Sequence, residues 1–187
     1  RSEGGDCTAC QADVSDAASV ARLIDFAVKA CGRIDILHNN VGIPGPVTGI
    51  DGTCLEQWER VLRVNTSGAF LSCKAVLPVM VRQGGGAIIN VSSVAGLGVP
   101  RVLNLAYGTS KSAMNYFTRS IAIEYAARGV RANVIAPGLM DTPIVRNAKG
   151  MVAQYADEND MAEQRHAMSP TGRMGSPLYP IYLIAQP

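Results

Sequence analysis

Residues 92–111 read SSVAGLGVPRVLNLAYGTSK, and the fold is decided there. A serine pair closes the apolar run AIINV, a glycine-bearing loop follows, and Tyr107 and Lys111 open a predicted helix. Positions four apart on a helix are neighbours, which brings the Lys111 ammonium near the Tyr107 phenol. An opposite charge at that range favours tyrosinate and draws the phenol below its ordinary pKa of ~10. A tyrosine so tuned serves as acid or base near neutral pH. Ser93 falls at the C-terminal end of a buried strand, where open α/β sheets bind ligands, and its hydroxyl is suited to holding a carbonyl or alcohol oxygen. Ser92 points the other way, because successive strand side chains alternate faces.

The flanking sequence alternates in the same manner. The strand itself is AIINVSS at 87–93, set off by the glycine turn at 84–86. Upstream, residues 55–82 carry Trp58, Val61, Leu62, Ala69, Cys73, Val76 and Leu77 at helical spacing, with Pro78 as the expected kink. Asn65 interrupts that apolar face and needs a partner, since an unpaired buried amide costs about 1–3 kcal/mol. The run IDILHNN at 34–40 reads as a buried strand, with Ile34, Ile36 and Leu37 as its apolar part. Before it, Ser15 or Asp16 caps a helix with Val20, Leu23, Ile24, Ala27 and Ala30 on one stripe, and Gly32 ends it. Residues 7–12 read as a short strand. Beyond Lys111 the helix runs from about Ala106 to Ala127, VRANVIAPG at 130–138 gives another strand, and 144–169 read as helix and mobile polar segment.

Bulk properties narrow the function classes. One domain spanning 1–187 is the natural expectation for 187 residues, and the chain is long enough to bury a core. A net charge of +2 has no basic run behind it and aromatics are only 5%, so neither nucleic acid nor an anionic membrane is an expected partner. No apolar run approaches ~18 residues, so no membrane-spanning helix is expected. The five cysteines are odd in number and scattered, mostly in apolar runs, which predicts reduced core residues of a cytoplasmic protein. Cys7 and Cys10 lack a second pair or a ligand-spaced histidine, so no metal site is expected.

Five motifs carry a family resemblance: NNVG at 39–42, VNTSG at 64–68, INVSS at 89–93, YGTSK at 107–111 and PGLMDT at 137–142. In order and spacing they resemble the short-chain dehydrogenase/reductase family, and PTGRMGSP at 170–177 agrees with a later family element. A lone YxxxK arises in many helices by chance; five motifs in sequence do not. The resemblance implies an α/β, Rossmann-like, doubly wound parallel sheet, incomplete in this chain. Family members carry a strand, a glycine-rich turn, a helix and a second strand ahead of the segment that CQADVSD resembles, so the chain is expected to begin inside a longer reading frame and to end short of a final strand.

The resemblance also assigns residues. It implies a catalytic set of Asn65, Ser93, Tyr107 and Lys111, with Asn65 holding a water that links Lys111 to solvent; the alternative is an asparagine satisfied by backbone. It implies a cofactor, NAD or NADP, held by Asp13, Val14, Asn40, Val41, Gly42, Tyr107, Lys111, Pro137, Gly138 and Thr142. Asp13 alternatively begins a turn, and Asn39 and Asn40 alternatively tie neighbouring strands together. The implied substrate is a small molecule bearing a carbonyl or secondary alcohol, and the implied assembly a homodimer or homotetramer. A glycine-rich turn would seat a pyrophosphate at a helix N-terminus. Without one, the alternative expectation is a silent fragment or scaffold-like relative that binds cofactor poorly.

Overall fold

The computed structural model describes residues 6–99, 103–146 and 152–176. Helix α1 (Ala17–Cys31) starts at a cap visible in the sequence: the Asp16 carboxylate accepts from the Ser19 amide, and Gly32 ends the helix at φ 77°. Strand β1 (Ile36–Asn39) follows, then α2 (Leu55–Leu62), a π turn (Arg63–Ser67) and α3 (Gly68–Arg82), which run on as one helix. Strand β2 (Gly86–Val91) leads through a 3₁₀ turn (Val94–Gly96) into α4 (Leu105–Tyr125), then to β3 (Val130–Ile135), the short α5 (Pro143–Arg146) and α6 (Glu158–Met168).

The three strands are parallel in the order β1-β2-β3, with Asn39 opposite Asn90 and Asn90 opposite Val134. Parallel neighbours need a crossover, and α2–α3 and α4 supply the two. Their inner faces join α1 in one core of Ile24, Cys73, Val76, Leu77, Met80, Ile88, Ile121 and Val130. A polar chain crosses this core. Asn39 Nδ2 donates to Asn90 Oδ1 at 2.8 Å, Asn90 Nδ2 donates to Thr118 Oγ1 at 2.9 Å, and the Thr118 hydroxyl donates to the Met114 carbonyl at 2.7 Å. Each member is satisfied, so β1, β2 and α4 are locked in one register.

Several expectations are corrected. Residues 7–12 pair with no strand among the described residues; extended backbone without a neighbouring ladder is not a strand. β1 is an edge of the described sheet, so Ile36 is 62% exposed instead of buried. Of the cysteines only Cys73 is in the core, where burial pushes its thiol up to about 12; Cys7, Cys10, Cys31 and Cys54 are exposed. Apolar neighbours in sequence do not say which helix face a cysteine takes. The long helix departs from regular geometry at 63–67, around Asn65, as a π turn. Residues 55–82 also reach the length and hydropathy of a membrane span, with 28 residues and a mean of 1.3. Nevertheless Cys73, Val76, Leu77 and Met80 spend that apolarity on the core.

The polar chain predicts a stability effect. Asn90→Ala strands the Asn39 amide and opens a small void, so urea unfolding is expected to show a loss of about 2–3 kcal/mol. The exposed Ser120→Ala should stay within about 0.5 kcal/mol of the parent. A loss for Asn90→Ala as small as the control's would show that the chain contributes little.

Candidate active site

The C-terminal ends of the strands open on a cavity of about 680 Å³. From β1's end come His38, Asn40 and Gly42; from β2's end, Ser92 and Ser93; beyond β3, Pro137, Gly138 and Thr142. Helix α4 adds Tyr107 and Lys111, and α6 adds Arg165 and Met168. The cavity thus gathers most of the expected site residues from separate places in the chain.

Helix α4 is aimed by its first turn. Asn104 caps it, accepting from the Tyr107 amide at 3.3 Å, which fixes Tyr107 at the helix mouth. Lys111, one turn on, is only 4% exposed, and its Nζ donates to the Val91 carbonyl at 2.7 Å. Ser92, on the other side of the strand from Ser93, donates to the Lys111 carbonyl at 3.0 Å. A Cβ on Gly96 would stand 2.7 Å from the Lys111 carbonyl carbon, so the 3₁₀ turn seats on α4 only with glycine there. Ser93 caps that turn, accepting from the Ala95 amide at 3.2 Å, and lines the cavity together with Tyr107.

The titration of the pair differs from expectation. Burial raises the Tyr107 phenol above its ordinary value, and the nearby Ser93 hydroxyl pulls less strongly the other way. Burial lowers the Lys111 ammonium from 10.5 to about 8. The ammonium lies 5.5 Å from the Tyr107 ring centroid and is turned to the Val91 carbonyl, so loss of solvation outweighs attraction between the two groups.

Asn65 is fully buried in the π turn, behind the cavity. Its Oδ1 accepts from the Ile43 amide at 2.8 Å, and its Nδ2 donates to the Ile43 carbonyl and the Ser110 hydroxyl, each at 3.0 Å. The side chain is therefore satisfied by the Ile43 backbone and the Ser110 hydroxyl, and it pins the loop at Ile43 to α4. A Cβ on Gly42 would sit 3.3 Å from Asn65 Oδ1 and 3.5 Å from Lys111 Nζ, so a side chain there would wedge between amide and ammonium. Asn39 does tie strands, whereas Asn40 is exposed at the cavity.

Besides Asn65, three expected residues lie outside the cavity lining. Asp13 Oδ1 accepts from the Ser15 amide and hydroxyl, closing a turn that holds its carboxyl below the ordinary range. Val14 packs toward Gly68, and Val41 is 59% exposed. Sequence reasoning missed His38, Asn104 and Arg165. For His38 the signal was the two-residue strand period from Asn40. For Arg165 it was a charge at i+4 from Met161 and i−3 from Met168, on the apolar stripe of α6.

Comparison with known proteins settles the family. The family model described as short chain dehydrogenase matches residues 1–152. The chain belongs to the short-chain dehydrogenase family. It is 36% identical over 178 residues to the 2,5-dichloro-2,5-cyclohexadiene-1,4-diol dehydrogenase LinX of Sphingobium indicum, a match covering 95% of this chain and 67% of that protein. Among solved structures of the family, NAD+-bound xylitol dehydrogenase superposes with a TM-score of 0.86 at 32% identity, covering 94% of this chain and 70% of that one. Gluconate 5-dehydrogenase from Burkholderia cenocepacia, in complex with NADP and tartrate, gives 0.76 at 31%, covering 88% and 61%. The short-chain dehydrogenase chain thus spans about two thirds of the length of such relatives.

The lysine predicts a titration. In the ligand-free protein, Lys111 should lose its proton with a midpoint near 8, followed by NMR of its side-chain nitrogen. Between that value and 10.5 the unfolded chain holds more protons than the native one, so this group makes stability rise with pH across the window. A midpoint above ~10, the ordinary lysine range, would contradict the burial argument.

Proposed function

We propose that the protein is an NAD- or NADP-dependent oxidoreductase that interconverts a carbonyl and a secondary alcohol, with Tyr107 as general acid/base. The observation that carries this reading is the convergence of Ser93, Tyr107 and Lys111 on one cavity at the C-terminal edge of a parallel sheet, where such folds bind ligands. Relatives named as dehydrogenases and neighbours bound to NAD+ or NADP support it.

The cavity suits a nicotinamide and its ribose. Gly42 leaves the approach to Lys111 open, Gly138 has nothing closer than Val94 at 4.0 Å, and both line the space with Asn40, Pro137 and Thr142. Lys111 and Tyr107 would hold the ribose, Thr142 the carboxamide, and Asp13, Val14 and Val41 the remainder of the dinucleotide. When bound, that group supplies hydride chemistry.

The protein's own part is position and proton transfer. Ser93 and Tyr107 hold the substrate oxygen. In reduction the carbonyl carbon gains a hydride while the Tyr107 hydroxyl gives its proton to the oxygen, leaving tyrosinate and an alcohol. The raised phenol of the ligand-free cleft keeps that proton in place at neutral pH. Reprotonation comes from the side of Lys111, whose lowered affinity for its proton and closeness to Asn65 across Gly42 support a relay there. Phe70, Tyr116 and Ile123, exposed on α3 and α4, support a homo-oligomer built on these helices.

Tyr107→Phe keeps the ring and removes the proton. With NADH or NADPH and a ketone substrate, kcat is expected to fall about 10²- to 10⁴-fold. KM for the ketone should change only several-fold. A kcat within threefold of the parent, roughly the scatter of a surface change on this scale, would remove Tyr107 from the acid/base role.

A further inference from the structure

Helix α6 places Met161, Arg165 and Met168 at i, i+4 and i+7, the spacing of one helical face. Met161 is 2% exposed and Arg165 8%, whereas Met168 at the helix end is 54% exposed, so a guanidinium is buried one turn from Met161. The helix is firmly placed. Asp157 caps it, the Met174 amide donates to His166 Nδ1 at 2.8 Å, and Gly175 pairs with Met140 beside the cavity wall.

Arg165 lines the same cavity as Ser93 and Tyr107. Its Nε is buried without a hydrogen-bond partner among the described residues. Asp141, a carboxylate near enough to feel its charge, is already taken: Arg146 donates to both Asp141 oxygens at 2.7 Å. Among the described residues no Asp or Glu lines the cavity, whereas two cations do. Of these, Lys111 is engaged by the Val91 carbonyl. A buried guanidinium with no carboxylate bonded to it is disfavoured, and its planar fork matches an oxyanion in two-point contact.

We propose that Arg165 binds an anionic group of the substrate, so that the molecule reduced or oxidised at Tyr107 carries a carboxylate or comparable oxyanion. This rests on the carbonyl–alcohol reading above and adds the substrate class to it. The reacting carbonyl is held at Ser93 and Tyr107 and the anion at α6, across one cavity. The same chemistry exists in the diphosphate of a dinucleotide, and the test separates the two sources.

The test uses acetoacetate and levulinate, each beside its methyl ester, which keeps the ketone and removes the charge. Binding is measured by calorimetry and turnover by NADH or NADPH oxidation, for the parent, Arg165→Gln and Arg165→Lys. The parent is expected to favour at least one acid over its ester by about tenfold or more, the range of a charge-assisted pair. Arg165→Gln should bring that ratio close to one, and Arg165→Lys should retain part of it. An acid-to-ester ratio near one in the parent, or one unchanged in Arg165→Gln, overturns the proposal. So does a weakened NADH affinity in Arg165→Gln with the ratio intact, which assigns the guanidinium to the dinucleotide. Absence of turnover with any ketone counts against the oxidoreductase reading, and the calorimetric ratio still decides the role of Arg165.

Discussion

A buried ammonium organises this protein. Lys111 is carried on the second turn of α4 into a place where, among the described residues, only the Val91 carbonyl, at the end of β2, meets it at 2.7 Å. That contact fixes the helix relative to the strand, and its neighbours conform to it: Gly96 must be glycine to clear the Lys111 backbone, Ser92 donates to the Lys111 carbonyl, and Ser93 closes the turn between. Tyr107, one turn earlier and held by the Asn104 cap, has its place set by the same arrangement. Taking a charge from water is costly, so such a lysine persists where the surrounding fold holds it.

The electrical character of the cavity follows. Its walls carry cations and no acid among the described residues. Burial therefore works against both charged states, making Lys111 readier to lose its proton and Tyr107 slower to lose its own. In the proposed reaction, a protonated phenol beside a lysine of lowered affinity would give a proton and be resupplied. An incoming anion would relieve the unbalanced positive charge, which would join the proposed anion site on α6 and the proposed proton-transfer site on α4 in one chemistry.

Much of this was legible in the sequence because it was written in local rules. Caps and strand-to-helix turns gave α1, β2, α4 and β3 within a few residues, and the motif spacing brought Ser93, Tyr107 and Lys111 to one place. What escaped depends on neighbours distant in sequence. Residues 7–12 have strand-like composition but no ladder, and Ile36 is exposed because β1 is an edge of the described sheet. The direction of the Tyr107 shift turned on burial, which the i, i+4 spacing does not report. Arg165 was visible only as a charge on an apolar stripe, and the stripe itself was not recognised within a polar segment.

The most direct test is a fluorescence titration of this chain with NADH and NADPH, following the dihydronicotinamide emission, with Lys111→Ala alongside. The account predicts saturable enhancement for at least one of the two, at micromolar concentrations, and a clear loss of affinity on removing the lysine. No saturable signal with either dinucleotide up to millimolar concentration, or binding indifferent to Lys111, would contradict it.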